Sequence, residues 1–172
     1  MNHTYSTLEL IEIIELLDKS FKSLFSNDLY LLFSHNGENT ISHRLAIYLE
    51  NNLPNINSSY NVDCEYMRDG ENRKMINGHR RIPDIIIHKR GNNYPTNYLC
   101  VYAKRYENIN SDLENIKGFL KDNYYYKFGC FVKYFQSANN KSPKKIDYVI
   151  CYYENGYNDS DLKTINRTVW KE

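Results

Sequence analysis

Two residues in the middle of the chain have types and positions that suit phosphodiester hydrolysis. Asp84 precedes an apolar run, and Lys104 lies near the end of the next one, "NYLCVYAKR". Residues two apart on a strand share a face, so an acid two positions before Lys104 would reach the same metal ion and water as the lysine. Carboxylates hold Mg²⁺, and a lysine neutralises the charge that develops on phosphate oxygens. The residue found two positions before Lys104 is Tyr102.

The elements that would position these residues begin with two amphipathic helices. Residues 7–25 and 41–52 carry apolar side chains at helical intervals, which predicts a helix in each segment. Three segments rich in strand-forming residues follow and predict a meander of three strands: residues 60–67, 81–89 and 97–105. Residues 68–80, between the first two strands, are predicted to be a polar connection.

The second half of the chain predicts a crossover and more strands. Residues 108–123 have apolar positions at helical spacing, and two further strand patterns lie at 126–135 and 144–154. The remaining tail has no clear period. We therefore expect one α/β domain over residues 1–172, in which a mixed β-sheet is flanked by α-helices.

The order and spacing of these segments resemble the PD-(D/E)XK phosphodiesterase superfamily, the restriction-endonuclease-like fold. The resemblance rests on the runs "SHRLAIYLE", "VDCEYMRDG" and "PDIIIHKRG", followed by a strand with the acid-x-Lys spacing, and covers roughly residues 8–135. More narrowly, the chain is similar to small bacterial proteins with the same runs. The resemblance implies a site built from the second and third strands and a helix glutamate.

Carried over position by position, the resemblance implies a role for each motif residue. Asp84 matches the metal-binding aspartate, Lys104 the catalytic lysine, and Glu50 the acid contributed by a helix. Tyr102 replaces the acid of the acid-x-Lys motif. Either Glu65 takes its place as a migrated metal ligand, or Glu50 and Asp84 hold the metal together with the substrate phosphate and waters. The implied cofactor is Mg²⁺ or Mn²⁺, because hard cations prefer carboxylate oxygens.

Basic residues near the proposed strands predict contacts with nucleic acid. The candidates are His43, Arg44, Arg81, Lys89, Arg90 and Arg105. The formal net charge of only +1 gives no global basic field, so any such contact must be local.

The remaining sequence features restrict the class of protein. The four cysteines lie far apart in apolar runs without metal-ligand spacing, so we interpret them as reduced, buried thiols. No run reaches the roughly 20 apolar residues of a membrane span, and the N-terminus lacks the pattern of a signal peptide. We therefore expect a soluble, cytoplasmic protein without membrane contact.

Two functional hypotheses follow from the substituted motif. In the first, the protein is a Mg²⁺-dependent nuclease acting on DNA or RNA with a degenerate site. In the second, it is an inactive, nuclease-fold regulator that binds protein or nucleic acid in conflict between bacteria and phage. There Tyr102 fills the former metal site and its hydroxyl bonds Asp84 or Lys104. Tyrosine-rich strand edges would also allow a homodimer.

Overall fold

The computed structural model describes residues 6–33, 37–53, 59–91, 97–104, 109–121, 124–134 and 145–171. In these residues the chain forms three α-helices: α1 (Thr7–Phe33), α2 (Glu38–Asn52) and α3 (Ile109–Leu120). It also forms ten β-strands: β1 (Asn61–Cys64), β2 (Arg68–Asp69), β3 (Asn72–Arg73), β4 (Met75–Ile76), β5 (His79–Arg80), β6 (Ile85–His88), β7 (Asn97–Lys104), β8 (Phe128–Lys133), β9 (Lys145–Tyr153) and β10 (Leu162–Trp170). A short 3-10 helix (Asp159–Asp161) precedes β10.

Six of the strands form one mixed sheet in the order β1-β6-β7-β8-β9-β10. Neighbouring strands are antiparallel except β7 and β8, which are parallel and joined by α3. A parallel pair needs such a crossover because the chain must return to the same end of the sheet. The predicted α/β class and mixed sheet are therefore confirmed.

The sheet has a hydrophobic core on each face, which makes three layers. On one face, α1 and α2 bury apolar residues such as Leu17 and Leu45 against Val101. On the other face, α3 packs Phe119 against Tyr102. We call this second side the α3 face of the sheet. Because both faces are covered, β6 and β7 read as nearly continuous apolar runs, which made them recognisable in the sequence.

The polar connection predicted for residues 68–80 contains structure of its own. Strands β2 and β3 form one small hairpin, and β4 and β5 form another. Ile76 of β4 is buried in the core on the α3 face, whereas the other strand residues of this segment are exposed or half-buried. Two-residue strands are too short to show an alternating pattern, so they could not be predicted from the sequence.

The last strand of the six-stranded sheet, β10, lies in the tail of the chain, where the sequence shows no hydrophobic periodicity. It pairs with β9 over its whole length, from Leu162 opposite Tyr153 to Trp170 opposite Lys145. Most of its side chains are exposed, so alternation between buried and exposed positions is weak. An edge strand of this kind is held by backbone hydrogen bonds more than by burial, which explains why the hydrophobic pattern missed it.

The prediction of four buried cysteines is wrong at one position. Cys100, Cys130 and Cys151 are buried in the sheet, but Cys64 at the end of β1 is exposed. β1 is the strand at the other edge of the sheet, where side chains are covered less completely. All four thiols are free.

Candidate functional site

Asp84 and Lys104 lie at the same end of two neighbouring strands. Asp84 immediately precedes β6, and its backbone N–H donates to the carbonyl oxygen of Val101 on β7 at 3.0 Å. Its Oδ2 accepts a hydrogen bond from the N–H of Ala103 at 2.7 Å. Lys104 is the last residue of β7. We call this the site end of the sheet.

Tyr102 belongs to the hydrophobic core. Its ring centroid lies 6.2 Å from that of Phe119 on α3, and only 5% of the residue is exposed. Burial raises the pKa of its hydroxyl far above the usual value, so the phenol is neutral. The hydroxyl has no hydrogen-bond partner in the described part of the chain. The expected packing of the ring is confirmed, and the expected bond to Asp84 or Lys104 is wrong.

Among the described residues, Lys104 pairs with a helix acid that no sequence pattern marked, Glu38. Its Oε2 lies 3.7 Å from the Lys104 Nζ. A second acid, Asp112 in the first turn of α3, also acts electrostatically with Lys104. Both acids open helices whose first turns reach the end of β7. An acid in a first turn is ordinary helix chemistry, so its spacing alone did not mark either as a site residue.

The charge on Asp84 is destabilised where it lies. Burial raises the pKa of this carboxyl; the hydrogen bond from Ala103 and the charge of Lys104 oppose the shift, while Glu38 and Asp112 add to it. Burial likewise raises the pKa of Asp112. The site end therefore holds carboxyls that are easier to protonate than exposed ones, beside the strand lysine Lys104.

Several of the predicted residues line one cavity beside Asp84. It measures about 190 Å³ and is bordered by α2, the end of β1 and Asp84, with Glu65, His43 and Cys64 among its lining residues. Asn39 donates from its Nδ2 to the Oε1 of Glu65 at 3.0 Å. Glu65 has a φ of 47°, a left-handed conformation that non-glycine residues seldom adopt. The structure thus brings Asp84, Glu65 and His43 together.

Glu50 lies elsewhere. It is exposed near the end of α2, twelve positions after Glu38, which corresponds to about 18 Å along a helix. Its charge acts on Arg90 and Cys64. The structure therefore places Glu50 apart from Lys104, and the first turn of α2 occupies the position that Glu50 was expected to fill.

Only part of the predicted basic set lies near the site end. His43 borders the cavity, and Arg81 donates from its Nε to Asn115 on α3 at 2.9 Å while acting on Asp112. Arg105 lies outside the described residues. Within this set, His43 and Arg81 are the residues that the structure places close to the candidate site.

The other three basic residues are engaged elsewhere. Arg44 donates from its Nε to Asp28 at 2.7 Å, where α1 departs from helical geometry. Lys89 lies 5.3 Å from the ring of Tyr60. Arg90 donates to both carboxylate oxygens of Asp63, beyond the far end of β6. We infer that these contacts stabilise the fold rather than the candidate site.

The donor set does not fit a metal ion as the residues are placed. Within the described residues, no three His, Cys, Asp or Glu side chains form a group that could hold one. The motif position that should supply a further carboxylate is occupied by Tyr102, whose neutral phenol is buried in the core. One oxygen of Asp84 is already bonded to backbone.

No family model matches the chain, and no curated protein sequence matches it either. The described helices include none with the length and apolar character needed to cross a membrane. The α/β fold with its six-stranded mixed sheet is therefore established by the structure alone, and membership of the PD-(D/E)XK superfamily stays a prediction.

Replacing Asp84 with asparagine is expected to stabilise the fold at neutral pH. Because burial raises the carboxyl pKa, wild-type protein loses stability as pH rises through the ordinary carboxyl range to the higher folded-state value. Asparagine keeps an acceptor for the Ala103 N–H and carries no charge. The melting temperatures of the two proteins should be similar in acid and differ above that pH range. The difference should be about 2–4 °C for each kcal/mol by which the free energies of unfolding differ.

The measurement is thermal unfolding of both proteins from acid to neutral pH. A variant less stable than wild type at neutral pH would show that the attraction between Asp84 and Lys104 outweighs the cost of burying the carboxylate. Asp63→Asn is a suitable control, because Arg90 and His88 lower the pKa of Asp63 and its loss should destabilise the protein.

Proposed function

We propose that this protein is a nucleic-acid-binding protein on a PD-(D/E)XK-like scaffold that binds without cleaving. The observation that carries the proposal is the environment of Tyr102. At the motif position of the acid, the chain has an aromatic ring that packs on Phe119 and a neutral hydroxyl without a described partner. A residue that belongs to the core in this way cannot supply the carboxylate that a hard cation prefers.

The order of elements supports the scaffold part of the proposal. Helix α2 is followed by the meander β1, β6 and β7, then by the crossover helix α3 and the parallel strand β8. The resemblance implies a site on the second and third strands of the meander, which are β6 and β7. Asp84 and Lys104 lie at the adjoining ends of these two strands.

Local charge supports the binding part of the proposal. Lys104 lies opposite Lys133 in the parallel register of β7 and β8. The first turns of α2 and α3 reach the same end of the sheet, where helix N-termini favour anions. A phosphate backbone is attracted by two adjacent lysines and by helix N–H groups even when the net charge of the protein is near zero, and Glu38 and Asp112 offset part of that positive charge.

A metal-dependent phosphodiesterase is the second candidate. The observation that favours it is the cavity in which Asp84, Glu65 and His43 meet, together with the charge of Lys104 acting on Asp84. The left-handed backbone of Glu65 is the kind of strain that concentrates at functional sites. This candidate requires the side chains to move closer together than the structure places them.

One experiment separates the two candidates. Labelled DNA and RNA, single- and double-stranded, are titrated with protein in EDTA by fluorescence anisotropy, and the same mixtures are then incubated with Mn²⁺ or Mg²⁺ and resolved on a gel. We expect binding in EDTA and intact nucleic acid after incubation. Cleavage that disappears in both Asp84→Ala and Lys104→Ala would overturn the non-cleaving function and establish the phosphodiesterase.

A further inference from the structure

The single tryptophan of the chain is exposed on the sheet. Trp170 ends β10 and is 61% exposed, although tryptophan is usually well covered in folded proteins. The Lys145 Nζ lies 6.0 Å from its ring centroid. A large exposed aromatic ring beside a cation is a common feature of binding surfaces.

Trp170 lies on the same face and at the same end of the sheet as Lys104. The face on which each strand residue lies follows from the hydrophobic cores and the strand register. Tyr102, Phe131, Cys151 and Leu162 all pack on the α3 face. Since side chains alternate along a strand, the residues that share this face at the site end can be read from the register. They are Lys104, Lys133, Lys145, Asp147, Thr168 and Trp170.

These side chains form a row across four neighbouring strands. Lys104 lies opposite Lys133, Lys133 opposite Asp147, and Asp147 opposite Thr168. Lys145 and Trp170 form the adjacent pair, two residues farther toward the site end on β9 and β10. With strands about 4.8 Å apart, the row extends about 14 Å from β7 to β10. We call it the lysine–tryptophan row.

The row contains the carboxylate of Asp147, and neighbouring side chains offset its negative charge. The Lys145 Nζ lies 2.7 Å from the Asp147 Oδ2, and the Thr168 hydroxyl donates to Asp147 Oδ1 at 2.7 Å. Around the edge of β10, on the face where α1 packs, Lys22 and Lys171 line a separate cleft of about 370 Å³ that Trp170 also borders. In the part of the chain that the structure describes, Lys145 is the cation beside the ring, and Lys133 and Lys104 follow on the neighbouring strands.

We propose that the lysine–tryptophan row binds single-stranded nucleic acid, with one base stacked on Trp170 and the backbone running along the lysines toward Lys104. This deepens the nucleic-acid-binding function proposed above and rests on it. Exposed aromatic side chains take unstacked bases, and a positively charged surface beside them follows the phosphate backbone. A duplex keeps its bases stacked on each other, so the ring selects single strands.

The test uses the fluorescence of Trp170 as a direct report of the site. A short oligodeoxythymidylate and the matching oligouridylate are titrated into the full chain in EDTA, so the result does not depend on metal or cleavage. We expect quenching of the tryptophan emission and weaker binding of a duplex of the same length. Labelled oligonucleotide anisotropy then gives the affinity of variants that lack the tryptophan.

Three variants test the row. Trp170→Ala should weaken binding by about 5- to 150-fold, the range for one stacked base, whereas Trp170→Phe should retain most of the affinity. Lys145→Ala should weaken binding and reduce the salt slope by about 0.7 for one lost phosphate contact. Lys163→Ala is the matched control. Lys163 lies on β10 and, like Lys145, pairs with an acid, but it lies at the opposite end of the sheet. This variant should bind as wild type does.

The outcomes distinguish this site from the general function. Binding without quenching, and with the same affinity in Trp170→Ala and wild type, would overturn the row as the site and leave nucleic-acid binding intact. Equal losses in Lys145→Ala and Lys163→Ala would also overturn it, since general charge would then explain the affinity. Failure of every oligonucleotide to bind would overturn both proposals.

Discussion

Tyr102→Phe is expected to raise the free energy of unfolding, whereas Tyr102→Glu is expected to lower it strongly. The Tyr102 hydroxyl is buried without a partner in the described part of the chain, and such a group costs about 1–3 kcal/mol. Phenylalanine keeps the ring against Phe119 and removes the hydroxyl. Glutamate loses the ring and buries a carboxyl, which should cost at least about 3 kcal/mol.

Tyr148→Phe is the matched control for the first substitution. Tyr148 is also buried in the sheet, but its hydroxyl donates to Asp18 Oδ1 at 2.7 Å. Removing that bond should lower stability by about 1.5–3 kcal/mol, opposite in sign to the effect of Tyr102→Phe. Urea unfolding of the three variants measures these differences. A destabilised Tyr102→Phe protein would mean that the Tyr102 hydroxyl has a partner after all.

The glutamate variant also tests the origin of the site. Adding Mn²⁺ should raise its melting temperature by mass action if the new carboxylate and Asp84 take up the ion together. Wild-type protein should show no such shift. A shift in both proteins, lost in Asp84→Ala, would favour the phosphodiesterase over the non-cleaving function.

Gly129→Ala is expected to destabilise the protein by about 1–3 kcal/mol. Gly129 lies on β8 beneath α3, and a Cβ at this position would come within 2.2 Å of the Ile116 Cγ2. Ile116 is fully buried, so it cannot turn away into solvent. Either the helix moves away from the sheet or the isoleucine leaves its preferred rotamer, and either change lowers the free energy of unfolding.

A double-mutant cycle provides the control for Gly129→Ala. Ile116→Ala removes the Cγ2 that would clash and costs stability through lost packing. The two substitutions together should cost less than the sum of their separate effects, because alanine at 129 no longer meets the isoleucine. Strict additivity in urea unfolding would show that α3 does not approach β8 as closely as the structure places it.

Local patterns were enough to predict most of the secondary structure. The helical intervals of residues 7–25 and 41–52 and the apolar runs around 85–88 and 97–103 fall inside observed helices and strands. They could be read because burial on one helix face, or on both faces of a strand, leaves a periodic record in the sequence. Strand β10 left no such record, because its side chains are mostly exposed.

The candidate site could be predicted only in part. Its strand residues, Asp84 and Lys104, follow from local spacing and from the meander that makes β6 and β7 neighbours. The period of two along a strand also places Tyr102 and Lys104 on one face of β7. What the sequence determined is therefore the set of residues that single strands and their immediate partners bring together.

Tertiary structure alone decided which helix residues join that set. Glu50 and Glu38 lie on the same helix, and only the docking of α2 on the sheet brings Glu38 to Lys104. Packing of α3 made Tyr102 a core residue, and strand order set Trp170 on the same face and at the same end of the sheet as Lys104. These relations join segments far apart in the chain, so they depend on how whole elements pack and leave no short-range pattern to read.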